Sequence, residues 1–249
     1  LLNISIINDA TDIYGTLQFL PIENRHGETF VEIKATDNEA AFDVDSIKVT
    51  IIPVNDAPLI QNSSIDLNDQ LDYFIYEDCN STDDEYLCAN ADQNQGISVE
   101  SFRGTNWTDV DDNLDHLTED TTVYGVAVCG SGNDSDGIWE YKLTDGSFTP
   151  FPALSGCNSE SYFILRDEDY IRFVPDENWH SFNNDLTTSS NSPELSLRAW
   201  DRTDENVTVS DNMVTISETG NISTLSSDVA TVSLQVIPVN DSPVITSIA

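Results

Sequence analysis

Along most of this chain, apolar and polar residues alternate with a period of two. The pattern is clear in "TFVEIKAT" (29–36), "DSIKVTIIPV" (45–54), "TVYGVAV" (122–128), "YIRFVP" (170–175), "LSLRAW" (195–200) and "VATVSLQVIPV" (229–239). A period of two puts successive side chains on opposite faces of an extended strand, so each stretch predicts a β-strand with one buried face. Clusters of Asn, Asp, Ser and Gly bound the stretches, as turns bound the strands of a sandwich. No apolar face at helical spacing runs beyond about two turns. The predicted fold is all-β.

Three blocks occur twice in the same order. The first copy reads "LQFLPIENRHG" (17–27), "VEIKATD" (31–37) and "VTIIPVNDAP" (49–58). The second reads "IRFVPDENWHS" (171–181), "LSLRAWD" (195–201) and "LQVIPVNDSP" (234–243), with longer spacers. An ordered set that recurs marks a structural repeat. On this basis residues 1–56 form the C-terminal half of a domain and residues 57–241 a complete domain with insertions. Residues 242–249 begin a further domain. Each copy ends on Pro-Val-Asn-Asp-x-Pro, a proline-stiffened linker.

Charge then narrows the partners. Among 249 residues, 45 are Asp or Glu and nine are Lys or Arg, a net charge of -36. Such a surface repels nucleic acid and anionic membranes, and it draws in cations. No apolar run reaches the 18 residues that a membrane-spanning helix needs. Aromatic and β-branched residues are spread over the whole length, which argues against an acidic disordered tail. Eight Asn-x-Ser/Thr triplets begin at Asn3, Asn62, Asn80, Asn106, Asn133, Asn206, Asn221 and Asn240. All but Asn240, which belongs to a linker, are expected to be exposed glycan acceptors. Four cysteines permit three connectivities, of which Cys79–Cys88 and Cys129–Cys157 each close a local loop. Sequons and paired cysteines together place the chain outside the cell.

The candidate chemistry is cation binding. Calcium takes six to eight oxygen ligands from carboxylates, amides and carbonyls. Asn55 and Asp56 offer such oxygens in the first linker, Asp109 and Asp111 share a side of "WTDVDDN" (107–113), and Asp201 follows the strand "LSLRAW". Without an ion, carboxylates gathered at one place repel and raise one another's pKa. Taken singly, each Asp also reads as a solvated turn residue. The pairs Trp139/Tyr141 and Phe148/Phe151 read as core more readily than as a sugar platform, and Asp145-Gly146 reads as a hairpin turn. No nucleophile elbow, metalloprotease helix or phosphate loop is present, and His26, His116 and His180 are the few histidines open to acid–base chemistry. The chain is not expected to be an enzyme.

The ordered blocks resemble the cadherin-like tandem repeats of large extracellular adhesins and matrix proteins, and "YGVAV", "WEYKLTDGSFTPF", "YIRFVP" and "LRAWD" are similar to a widened form of that repeat. The resemblance covers nearly the whole chain. It implies tandem immunoglobulin-like β-sandwich domains joined by short calcium-binding linkers. In that family the Asn-Asp linker, an Asp-x-Asp loop and an Ala-x-Asp form the ion cage, which correspond here to Asn55, Asp56, Asp109, Asp111 and Asp201. An acidic residue near the first strand, here Glu77, reaches the distal linker, here Asn240 and Asp241, although a capping or solvated role is equally open to it. Asp167, Glu168 and Asp169 match the family's Asp-Arg-Glu triplet only loosely. The implied role is a structural or adhesive segment of a long surface or filament protein, stiffened by calcium. Its partners are then neighbouring domains and other copies in a filament. The alternative is a module that recognises surface carbohydrate or another protein.

Overall fold

The computed structural model describes residues 1–8, 15–71, 73, 75–77, 94–110, 124–132, 136–182, 191–203, 213–240 and 243. Strands dominate it, and the fold is all-β. The described residues divide into two compact units that part between Asn55 and Asp56.

Unit 1 contains β1 (Leu2–Asn8), β2 (Gly15–Pro21), β3 (Gly27–Thr36) and β4 (Phe42–Ile51). β1 pairs with β2 and β3 with β4, both antiparallel. In β3 the alternation is plain: Val31 is buried and Ile33 half-buried, whereas Glu32 and Lys34 are exposed.

Unit 2 is larger. Its elements begin with β5 (Leu59–Ile60), β6 (Ser64–Asp66), α1 (Leu67–Leu71), β7 (Ile75–Tyr76), β8 (Ile97–Ser98), α2 (Val99–Arg103) and β9 (Trp107–Thr108). They continue with β10 (Gly125–Gly132), β11 (Gly137–Lys142), β12 (Thr149–Pro150), β13 (Ser161–Arg166), β14 (Tyr170–Pro175), β15 (Glu194–Trp200), β16 (Met213–Thr215), β17 (Ala230–Ser233) and β18 (Val236–Ile237). One sheet has the order β16-β13-β10-β15-β17-β6 and a second the order β12-β11-β14-β8. Between them lies a core that includes Val126, Val128, Trp139, Phe163, Leu165, Ile171, Phe173, Leu195, Leu197 and Val232.

The six-stranded sheet is buried on its other face as well. Ala127, Cys129, Tyr162, Ile164, Trp200 and Leu225 form a second apolar cluster there. That explains "SYFILR", which lacks period-two alternation because the side chains of Tyr162, Phe163, Ile164 and Leu165 are all buried. Cys129 and Cys157, 4.8 Å apart at Cα, are joined in a disulfide beside this cluster. Cys79 and Cys88 lie outside the described residues. Arg198, also on this side of β15, donates to the carbonyls of Ser226, Ser227 and Asp228 and to that of Cys157.

The repeated blocks pair in matching registers. Leu17, Phe19 and Pro21 of β2 oppose Ile6, Ile4 and Leu2 of β1. Their counterparts Ile171, Phe173 and Pro175 of β14 oppose Tyr141, Trp139 and Gly137 of β11. Val31 opposes Ile47, and Leu195 opposes Val232. Val31 and Leu195 each lie six residues before the Asp of Ala-x-Asp, and Ile47 and Val232 each lie six before the linker proline. A slip of one residue would turn a strand inside out. Two copies of the blocks thus specify one register at both ladders.

Candidate metal centre

The first linker enters unit 2 through Asp56, which is half-buried, and Ala57, which is buried. Leu59 pairs with Thr108 and Ile60 with Trp107 in an antiparallel ladder. Asp56, ahead of this rung, and Asp109, just past it, therefore leave the β5–β9 ladder at the same end. Trp107 anchors that ladder because its indole is buried in the main core.

Asp201 comes to the same neighbourhood by another route. It follows β15 directly, and its N–H donates to the carbonyl of Thr224 at 3.1 Å. Three residues earlier, the carbonyl of Asn221 accepts the N–H of Ala57 at 2.7 Å. The segment 221–224 thus ties the entry of the linker to the end of β15. Asp201 Oδ1 accepts from Thr203 N at 2.9 Å, from Thr203 Oγ1 at 2.7 Å and from Thr224 Oγ1. This oxygen is engaged as a turn residue would be. The side-chain Oδ1 of Asn55 is buried. Among the described residues, no three His, Cys, Asp or Glu side chains are grouped closely enough to hold a metal ion. Asp111 and Asp241 lie outside the described residues.

Glu77 is found at the other linker. Its side chain is buried, and Oε1 accepts the N–H of Val239 at 2.6 Å, one residue before the exposed Asn240. Its own N–H donates to Ile237. This carboxylate fixes the exit of the chain from β18 through a main-chain N–H.

Asp167, Glu168 and Asp169 have structural partners. Asp167 forms a bidentate pair with Arg103, at 3.0 Å to Nε and 2.7 Å to Nη2. Glu168 stands 3.8 Å from both Arg166 and Arg202. Asp169 is buried, and its carboxylate accepts N–H groups from Thr144 and Arg166. Burial pushes its pKa up, against the pull of those two bonds. The carbonyls of Asp167 and Asp169 take the free N–H groups of Glu100 and Val99 at the start of α2. The triplet organises a helix and a turn.

The aromatic pairs are packed inward. Trp139 meets Phe173 edge-on, and Tyr141, Phe151 and Phe163 form a cluster with centroids 4.5–5.3 Å apart. Phe148 is half-buried with the Arg172 guanidinium 3.9 Å from its ring centre. Asp145-Gly146 closes the turn between β11 and β12, where Gly146 donates to Leu143. Of the sequons, Asn3 and Asn221 are exposed. Asn62 and Asn106 are only half-exposed, short of the full exposure expected of them, because they flank the β5–β9 ladder: Gln61 N–H donates to the Asn106 carbonyl. Asn80, Asn133 and Asn206 lie outside the described residues.

No helix among the described residues is long and apolar enough to cross a membrane. Family models, curated proteins and solved structures return no match to this chain.

Proposed function

We propose that this chain is a segment of a long extracellular structural or adhesive protein, built from cadherin-like repeats that calcium stiffens at their junctions. The observation that carries the reading is the common end of unit 2 at which Asp56, Asp109 and Asp201 emerge, linked through Asn221 and Thr224. Asn55 precedes Asp56 by one bond, and Asp111 follows Asp109 by two residues. Among the described residues these side chains do not form a metal-sized group, so an ion would have to draw them together, and a chain of net charge -36 attracts divalent cations. Matching registers in the two copies of the blocks support the repeat. The inward packing of the aromatic pairs leaves the carbohydrate-recognition alternative without support from those residues.

Calcium titration of chelator-treated full chain, followed by calorimetry, tests the site. Binding in the range of about 10⁻⁴ to 10⁻³ M is expected, as for extracellular modules. Asp111→Ala and Asp201→Asn should each weaken it several-fold, whereas Asp145→Asn, in the hairpin turn, should not. Small-angle scattering should show a larger spread of conformations once calcium is removed. An unchanged scattering profile with no measurable heat of binding would sink the proposal.

A further inference from the structure

The ladder between β11 and β12 stops before β11 does. Its last rung is the bond from Phe151 N–H to the Trp139 carbonyl at 3.1 Å. Bonded pairs in an antiparallel ladder recur every two residues, so Gly137 and Ala153 would make the next rung. Among the described residues no bond joins them, because β12 has ended at Pro150 and Pro152 stands between the two rungs. A cleft of about 250 Å³ occupies the gap, with Ser131, Gly137, Trp139, Phe151, Ala153 and Leu154 among its lining residues. One side is apolar: Trp139 belongs to the main core, and Phe151 and Leu154 pack against it. The wall formed by residues 151–156 is pinned at both ends. Phe151 ties it to β11, while Gly156 N–H donates to the Cys129 carbonyl at 2.8 Å and the Cys129–Cys157 disulfide follows. The cleft is therefore built into the fold.

Carboxylates stand around this end of the sheets. Asp136 adjoins Gly137, and its carbonyl accepts the N–H of Asp176 at 3.0 Å; Glu194 opposes Gly132, the neighbour of Ser131. Among the described residues no Lys or Arg forms an ion pair with Asp176 or Glu194. We propose that the cleft takes a lysine side chain from a partner polypeptide. Small-molecule sites run from about 300 to about 1,000 Å³, so this smaller volume suits one side chain. The lysine stem lies along the apolar side. Its ammonium meets the Gly137 carbonyl, which the missing rung leaves facing the cleft, inside the negative rim. Arginine fits less well, since its planar fork matches paired carboxylate oxygens. A sugar ring finds no open face on Trp139, which is 4 % exposed. The chain's own lysines are engaged, Lys34 over Phe42, Lys142 over Tyr170 and Lys48 with Glu28. Like charge also opposes the approach of a second copy. The partner is thus a different, basic polypeptide, and the inference does not involve calcium.

The test titrates the isotope-labelled full chain with the peptide acetyl-Gly-Lys-Gly-amide, in about 150 mM NaCl to screen diffuse attraction. Saturable amide shifts are expected at Gly137, Ile138, Ala153 and Leu154, with a Kd of about 1 mM. Norleucine in place of the lysine keeps the stem and removes the charge. It should weaken binding at least about tenfold, as the loss of one charge-assisted hydrogen bond does. In Ala153→Trp the new ring occupies the cleft at constant charge, and the saturable shifts should disappear. Ala153 is exposed, so this variant is expected to fold. Should it not, the comparison of lysine with norleucine on the unaltered chain still decides. Saturable shifts that need both the ammonium and the open cleft carry the proposal. It is overturned by shifts that are absent or spread over the acidic surface without saturating at the cleft. Norleucine binding as tightly as lysine, or a folded Ala153→Trp variant that binds unchanged, overturns it equally.

Discussion

Asp169 shows how much a single carboxylate can be asked to do. It holds Thr144 N and Arg166 N while buried, and burial raises its pKa above the ordinary carboxylate value. The folded state therefore binds its proton more tightly than the unfolded state does. The stability it contributes is fully present below the unfolded value and is lost as pH rises through the raised folded value. Asp169→Asn removes the titration and keeps an acceptor. Wild type should gain stability relative to this variant as pH falls from about 7 to about 4. Chemical denaturation at several pH values reads that difference, and a pH-independent gap would show that the carboxyl is not perturbed. At this same scale the sequence was least legible. Among 45 acidic residues, Glu77 and Asp169 stand out only through the resemblance, and the burial and partner of each are decided by remote segments.

At the scale of elements, the strands that alternate were legible and the rest were not. "YIRFVP" and "LSLRAW" coincide closely with β14 and β15. "VATVSLQVIPV" reads as one strand but is split into β17 and β18, because the side chain of Asn68 binds the main chain of Gln235 at the break. "SYFILR" escaped the pattern because both faces of β13 are covered. α1 and α2, five residues each, are too short to show helical periodicity. α2 owes its place to the 167–169 turn and to Arg103, whose guanidinium also lies 4.7 Å from the Tyr124 ring centre. The Arg103–Asp167 pair has side chains only 14 % and 15 % exposed. Arg103→Ala strands Asp167 in a largely dry site and should cost about 2–3 kcal/mol. Urea denaturation measures it; a loss under about 0.5 kcal/mol would mean that α2 is held by its apolar contacts alone.

For the whole molecule, net charge dominates. A chain at -36 carries self-repulsion that added ions screen over about 10 Å at 0.1 M salt. In chelated protein, raising NaCl from about 10 mM to about 150 mM should raise Tm by several degrees, since about 1 kcal/mol moves Tm by about 2–4 °C at this size. A flat Tm would show that opposite charges such as Arg172 and Glu140, 2.7 Å apart, already balance the local field. The division between Asn55 and Asp56 has its sequence signal in the Pro-Val-Asn-Asp step.

The parallel pairings at the ends of unit 2 bear on how it responds to load. β17 runs parallel to β6, and β18 runs parallel to β7. The chain enters ahead of β6 and leaves beyond β18, so a pull on the two ends drags these neighbours in opposite directions along their common axis. The ladder bonds of each pair then share the tension in shear and must fail together, where a hairpin pulled from its open end would unzip one rung at a time. Resistance to stretching is thus built into the pairing of β6 and β7 with β17 and β18, independently of any bound ion.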